Sequence, residues 1–321
     1  MGSNCPAPDF IMVLDGNYAR FLRLGIKTLN HFHPDSRVFL YDVSPSPSIE
    51  LQEIAGGYPG VDYRYWPEEK WLRNAWIETL NFSYFFPGIA NCFKYISRLF
   101  RHRVFGTMKE GWVVDKDEFL RKIRRSVSIW MQKAPCCAES LERSDRDIIL
   151  LDADAFVWNP LDSVFLKDFD VGLTMRRLDD IRIGIDGGVR CAEPVPYHAI
   201  NAGAMFFRNN DRSLDFVRLW IEKMSVTRYF LVEQTALALL VLEADESAFT
   251  AYERGIRIET DRAPIAVRLL PCEKYNNFYI GDDLSFTPDS VYVAHFKGYL
   301  HRQAYFSSLS NLVEQRLSSM T

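Results

Sequence analysis

The chain is expected to be an α/β protein with a mostly parallel central sheet, and three observations predict it. Ile148-Ile149-Leu150-Leu151 is a continuous apolar run, as in a strand buried on both faces, because half-solvated strands alternate in polarity. Asp9-Phe10-Ile11-Met12-Val13-Leu14 is a second such strand. With the helix after it and the strand Arg37 to Asp42, it forms a unit of about 30 residues whose crossover makes the two strands parallel. The Ile148 run is followed at once by Asp152-Ala153-Asp154, at the strand end where open α/β sheets bind ligands.

The remaining elements follow in order. Phe21, Leu22, Leu24, Gly25, Ile26 and Leu29 make the apolar face of the first helix. A Ser- and Pro-rich loop (Ser44 to Ser48), a short helix (Ile49 to Ala55) and a strand (Val61 to Tyr65) come next. Residues 66–145 break the rhythm. They are rich in aromatics and then in Arg and Lys, with a basic helix over Phe119 to Lys133 and a separate amphipathic segment from Cys137 to Leu141. After the Asp pair come a strand (Phe169 to Met175), a polar loop (Arg176 to Pro196) and a strand from His198 to Asn209, whose small residues would let a ligand approach the backbone. Helices from Arg212 to Met224 and from Leu231 to Leu242, and a short strand from Val291 to Gly298, complete the reading. No repeat or linker interrupts the chain, so one continuous domain over 1–321 is expected, with a helical aromatic and basic insertion at about 66–145.

Composition narrows the function. A 48% hydrophobic content suits a large core, and a net charge of −4 argues against nucleic acid as a partner. The first residues lack the charged and apolar regions of a secretory signal, and no stretch approaches the roughly 18 apolar residues of a membrane span. Six cysteines without a Cys-x-x-Cys spacing read as reduced thiols. A cytoplasmic protein is expected, with peripheral membrane contact through the basic helix as a second expectation.

The Asp pair carries the chemistry. Side chains at i and i+2 of an extended segment point the same way, so Asp152 and Asp154 can reach one divalent cation, Mn²⁺ or Mg²⁺, which in turn grips phosphate oxygens. Other motifs follow in sequence: Leu14-Asp15-Gly16-Asn17-Tyr18 at the end of the first strand, Lys133-Ala134-Pro135, Asn201-Ala202-Gly203, Glu233-Gln234, and His295-Phe296-Lys297-Gly298. In this order they resemble the nucleotide-sugar glycosyltransferases of the GT-A fold, a Rossmann-like nucleotide-diphospho-sugar transferase fold, and among them the retaining family 8 type. The match covers about residues 9–65 and 128–300; the basic insertion has no counterpart.

The resemblance implies the roles. Leu14, Asp15 and Tyr18 would hold base and ribose, although Asp15 could equally cap a turn. Lys133, Asp152, Ala202, Gly203, Lys297 and Gly298 would line the donor. Asp152, Asp154 and His295 would bind the metal, and Glu233, Gln234 and Asn201 would act at the sugar. Asp179, Asp180 and Asp186 would contact donor or acceptor hydroxyls. The chain has Glu233 where the family usually has Asp, and His301 where a lysine often stands, so Lys297 or Arg302 would supply the diphosphate's cation. The implied donor is a UDP-sugar, the acceptor a glycan or lipid-linked glycan, the outcome retention and the setting polysaccharide biosynthesis. An inverting outcome would need a carboxylate base such as Asp186 or Glu193. Three other readings use related features. A haloacid-dehalogenase-type phosphatase wants Thr or Val where Phe156 stands. A sugar nucleotidylyltransferase wants a Gly-rich N-terminal loop, and an inactive nucleotide-sugar-binding homologue would not need to keep this set of polar residues.

The basic helix makes a prediction of its own. Reversing Arg121, Lys122, Arg124 and Arg125 to Glu should leave hydrolysis of free donor unchanged and release the protein from anionic liposomes. Each basic contact contributes on the order of 1 kcal/mol at such a surface. Failure of the unaltered protein to sediment with these liposomes at low salt refutes membrane contact.

Overall fold

Strand β1 (Asp9–Leu14) is buried at every residue, and from Phe10 to Leu14 both of its faces are apolar. It lies between β2 (Val38–Asp42) and β4 (Ile148–Leu151), parallel to both, with Met12 opposite Leu40 on one side and Leu151 on the other. The computed structural model that gives this register describes residues 6–67, 116–177, 199–227, 232–251, 253–278, 280, 290–296 and 303–319, with backbone alone at 116–128 and 303–305. Helix α1 (Ala19–Phe32) makes the crossover from β1 to β2. Helix α2 (Ile49–Gly56) leads to β3 (Val61–Tyr65), which pairs parallel to β2.

Beyond β4 the direction changes. Strand β7 (Ile200–Phe207) runs antiparallel to β4 and to β6 (Val171–Met175); β9 (Ile265–Pro271) is parallel to β6, and β8 (Gly255–Ile258) antiparallel to β9. The order is β3-β2-β1-β4-β7-β6-β9-β8, with parallel pairings through the first half. The fold is thus the α/β kind expected. Phe10, Met12 and Leu14 face Leu22, Ile26, Leu51 and Ile54 of α1 and α2. Ile11 and Val13 face the opposite layer, made by α3 (Lys116–Arg143), α4 (Asp211–Val226) and α5 (Val232–Ala244), with Met131, Ala134, Trp220 and Leu237. No helix among the described residues is long and apolar enough to cross a membrane.

Helix α3 departs from the reading of two separate segments, because it continues through Pro135. Proline has no N–H for the carbonyl of Met131, and an interior proline costs about 3 kcal/mol. Burial of Met131, Ala134, Cys136, Cys137 and Leu141 offsets that cost, each large apolar side chain contributing roughly 1.5–3 kcal/mol. The C-terminal part of the 66–145 stretch therefore belongs to the core. Cys136, Cys137 and Cys272 are buried and form no disulfide among the described residues.

A second, two-stranded sheet pairs β5 (Ala155–Val157) antiparallel with β10 (Val293–His295). Beneath it, Phe156, Trp158 and Phe296 pack with Phe21 of α1 and with Leu309 and Val313 of α7 (Gln303–Ser318). Strands β5, β8 and β9 and helix α7 lie outside the sequence reading. For β8 and β9 the signal was present as alternation: Ile256 and Ile258 are buried between exposed neighbours.

At the N-terminal end of the sheet, Asp9 is fully buried. It accepts from Arg37 Nε at 2.9 Å, from Arg37 N at 3.0 Å and from Ser144 Oγ at 2.7 Å. Asp9→Ala strips these donors of their acceptor. Arg37 is 42% exposed and can rehydrate, so the expected loss is about 2 kcal/mol, below that for a fully buried ion pair. An unchanged urea midpoint would show that this carboxylate contributes nothing.

Candidate active site

Two chain reversals bring the site together. Ala155 N donates to the carbonyl of Asp152 at 2.9 Å, a tight turn that swings the chain from β4 into β5. Because β7 runs antiparallel to β4, its first residues lie at the end of β4, and Asp152 N donates to the carbonyl of Gly203 at 2.9 Å. Pairing of β5 with β10 then sets His295 opposite Ala155, and Phe296 N donates to the carbonyl of Asp154 at 2.8 Å. His295 Nε2 stands 3.2 Å from Asp154 Oδ1 and 3.8 Å from Asp152 Oδ2. One ligand atom from each of the three residues lies within 4.8 Å of the others. Octahedral bonds of about 2.1 Å space neighbouring ligand atoms about 3 Å apart, so the set fits a small divalent ion. The donors, two carboxylates and one imidazole, suit a divalent cation.

Around this triad the polar groups are tightly bonded. His295 Nδ1 lies 2.8 Å from Asn276 Oδ1. Asn276 follows α6 (Cys272–Tyr275), and its amide nitrogen donates to Thr174 Oγ1 at 2.9 Å and to the carbonyl of Asn201 at 3.1 Å. Gly203 borders the same ring. A Cβ there would sit 2.4 Å from His295 Cε1 and 2.5 Å from Nδ1. The glycine expected to admit a ligand to the backbone thus makes room for the histidine.

Charge is compensated from α3 and α5. Lys133 Nζ lies 2.5 Å from Asp152 Oδ1, and the residue is almost wholly buried. Burial opposes its charge, but Asp152, Glu233 and Asp154 outweigh burial and hold the lysine's affinity for its proton above the usual range. Glu233, in the first turn of α5, shifts upward because burial disfavours its anion, against the opposing pull of Lys133 and of Gln234 Nε2, which donates to Glu233 Oε1 at 3.2 Å. Its Oε2 is buried without a hydrogen-bond partner among the described residues. Tyr18 follows β1 at the same end of the sheet, and its phenol is pushed up by burial and then by Asp154, Asp152 and Asp15.

The other expected residues divide. Asp15 caps the turn after β1, accepting from Asn17 N at 3.0 Å and from Asn17 Nδ2 at 3.1 Å, the structural alternative set out for it. The side chains of Leu14 and Ala202 are in the core, so any contact they make with a ligand is through the backbone. Asn201 is buried, its Oδ1 accepting from Gly203 N at 3.1 Å. Lys297, Gly298, His301, Arg302, Asp179, Asp180, Asp186 and Glu193 lie outside the described residues, and the side chains of Arg121, Lys122, Arg124 and Arg125 do too. Sequence reasoning missed Thr174, Asn276 and Arg176. Arg176 is buried at the end of β6, 5.0 Å over the ring of Phe278, with Nη2 at 3.5 Å from Gln234 Oε1.

No protein-family model matches the chain, and no curated protein matches it. Similar solved structures include the apo form of the WbbM bifunctional glycosyltransferase (13% identity, TM-score 0.49, over 93% of this chain and 47% of that one). The galactosyltransferase LgtC in complex with donor and acceptor sugar analogues is another (15%, 0.44, over 97% and 95%). A third is apo mouse xyloside xylosyltransferase 1 (12%, 0.41, over 92% and 99%). The chain spans about half the length of the WbbM chain. Its own chemistry is read from its side chains.

Glu233 yields a pH prediction. The folded state holds this proton more tightly than the unfolded chain does, so the residue's contribution to stability is full below the ordinary carboxylate range, about 4.3, and falls as pH rises through the folded pKa. Glu233→Gln should therefore raise the melting temperature of the metal-free protein at neutral pH, with the gain vanishing at pH 4. A variant that melts lower than the parent at neutral pH contradicts this.

Proposed function

We propose that the chain is a metal-dependent glycosyltransferase of the GT-A type, moving a sugar from a nucleoside-diphosphate donor to a hydroxyl acceptor. The observation that carries the reading is the convergence of Asp152, Asp154 and His295 on one point at the C-terminal end of a buried strand, with Lys133 beside them. Bound there, Mn²⁺ or Mg²⁺ would neutralise the charge that develops on a departing diphosphate. Lys133 adds a fixed positive charge next to Asp152 and screens the carboxylates from one another. Glu233 Oε2 and Asn201 Nδ2 are both buried with no partner among the described residues, and in this reading each takes a hydroxyl of the donor sugar. Tyr18 stacks against the base, with Asp15 fixing the turn that carries it.

The finer assignments follow the family resemblance: a UDP-sugar donor, a glycan or lipid-linked acceptor in polysaccharide biosynthesis, retention at the anomeric carbon, and a cytoplasmic enzyme made of one domain. A dehalogenase-type phosphatase suits the site less well. Where such an enzyme wants Thr or Val, Phe156 stands fully buried in the core.

The test is a thermal shift with nucleoside diphosphates in the presence and absence of Mn²⁺, followed by a screen of nucleotide sugars for slow hydrolysis. UDP is expected to raise the melting temperature only when Mn²⁺ is present. Asp154→Ala should abolish that rise and reduce donor hydrolysis at least a hundredfold while leaving the fold intact, since losing a carboxylate at a strand end relieves repulsion. Near-normal turnover by this variant, or hydrolysis of an aryl phosphate in place of nucleotide sugars, would sink the assignment.

A further inference from the structure

We propose that Asn276 is a positioning residue for the metal-binding histidine, holding His295 in the tautomer whose bare Nε2 faces Asp152 and Asp154. The inference rests on the metal-dependent reading above. It begins at the backbone carbonyl of Asn201, which can only accept a hydrogen bond. The Asn276 side-chain atom 3.1 Å from it is therefore the amide nitrogen. The Thr174 hydroxyl lies 2.6 Å from that same carbonyl and 3.1 Å from the carbonyl of Ala204, so its single hydrogen is directed at them. Its lone pair receives the second amide hydrogen of Asn276 at 2.9 Å. Both amide hydrogens are then committed.

What remains is Asn276 Oδ1, 2.8 Å from His295 Nδ1. An amide oxygen cannot donate, so the imidazole must. Nδ1 carries the hydrogen, and in the neutral ring Nε2 keeps its lone pair. That nitrogen is the one 3.2 Å from Asp154 Oδ1 and 3.8 Å from Asp152 Oδ2. Three electron-rich atoms thus converge, an arrangement that a cation satisfies. Thr174, Asn201, Asn276 and His295 are all at most 2% exposed, so water has no ready access to replace a lost partner. Gly203 closes the far side of the ring, where a side chain would displace it.

The full chain tests this through direct Mn²⁺ binding, read by the electron paramagnetic resonance of the free ion. Asn276→Leu keeps the volume but removes both hydrogen-bonding ends, and should weaken Mn²⁺ 10- to 100-fold. Asn276→Asp, which keeps an oxygen opposite Nδ1, should lose less. In a His295→Ala background the leucine substitution should have no further effect, because the ring it orients is gone. An equal loss in both backgrounds would mean that Asn276 only shapes the fold, and would overturn the proposal. Unaltered Mn²⁺ affinity in Asn276→Leu would overturn it as well, leaving the metal reading intact, whereas a parent protein that binds no Mn²⁺ ends both. A second measurement needs no Asn276 variant. The ¹⁵N signals of the His295 ring at mildly alkaline pH, identified by their loss in His295→Ala, should show a protonated Nδ1 and a bare Nε2. The opposite tautomer refutes the proposal.

Discussion

Two carboxylates at the end of a strand with no polar side chain of its own repel each other, and the rest of the site is arranged around that repulsion. The ion pair between Lys133 and Asp152 is the protein's answer to it. The lysine is buried, so its own charge is tolerable because Asp152 pairs with it and Asp154 stands nearby. Neither side of the pair is stable in this place without the other. To deliver Lys133, α3 runs on through a proline, and to bury the helix there the sheet presents Ile11, Val13 and Leu150. The core and the site are in this sense one construction: packing of α3 fixes where the positive charge stands.

The two ends of the sheet use acidic residues in opposite ways. At the N-terminal ends of the strands, Asp9, Asp147 and Asp170 are matched by donors. Asp147 accepts from Arg208 at 2.8 Å and from Asn209 N at 3.0 Å; Asp170 accepts from Asn210 at 3.0 Å and from Ala266 N at 2.8 Å. These acids lock loops to strand starts. At the opposite end, Asp152 and Asp154 face one another and an imidazole, with Lys133 paired to Asp152. The first set of acids is spent on the fold, whereas the second is gathered at one point with a histidine.

Much of this was legible in the sequence, and the parts that were not share a cause. A strand dry on both faces announces itself as an apolar run, so β1, β4 and the Asp pair at the strand end could be read directly. His295 was singled out through its motif. Asn276 and Thr174 were not, because their partners are backbone carbonyls and a histidine far along the chain, which leave no periodicity or spacing behind. Gly203 was expected to let a ligand approach the backbone, and what lies against it is the ring of His295. Pro135 misled for the opposite reason: the local signal to break a helix is strong, and burial of its neighbours outweighs it. The alternation spans only four residues in the edge strand β8 and is broken in β9 by the adjacent buried Leu269 and Leu270, so both are easily taken for loop.

The short ribbon of β5 and β10 joins Ala155 to His295, a closure of 140 residues (295 minus 155). Loop entropy grows only logarithmically with such a span, so the thermodynamic cost is modest, but the order of events is fixed. On a ribosome adding about 5–20 residues each second, the carboxylates emerge roughly 7–28 s before their histidine. During that interval the chain holds a pair of acids with an incomplete set of partners. The three ligand atoms come together only once β10 has docked, so in the proposed metal-dependent reading tight ion binding would report a docked β10.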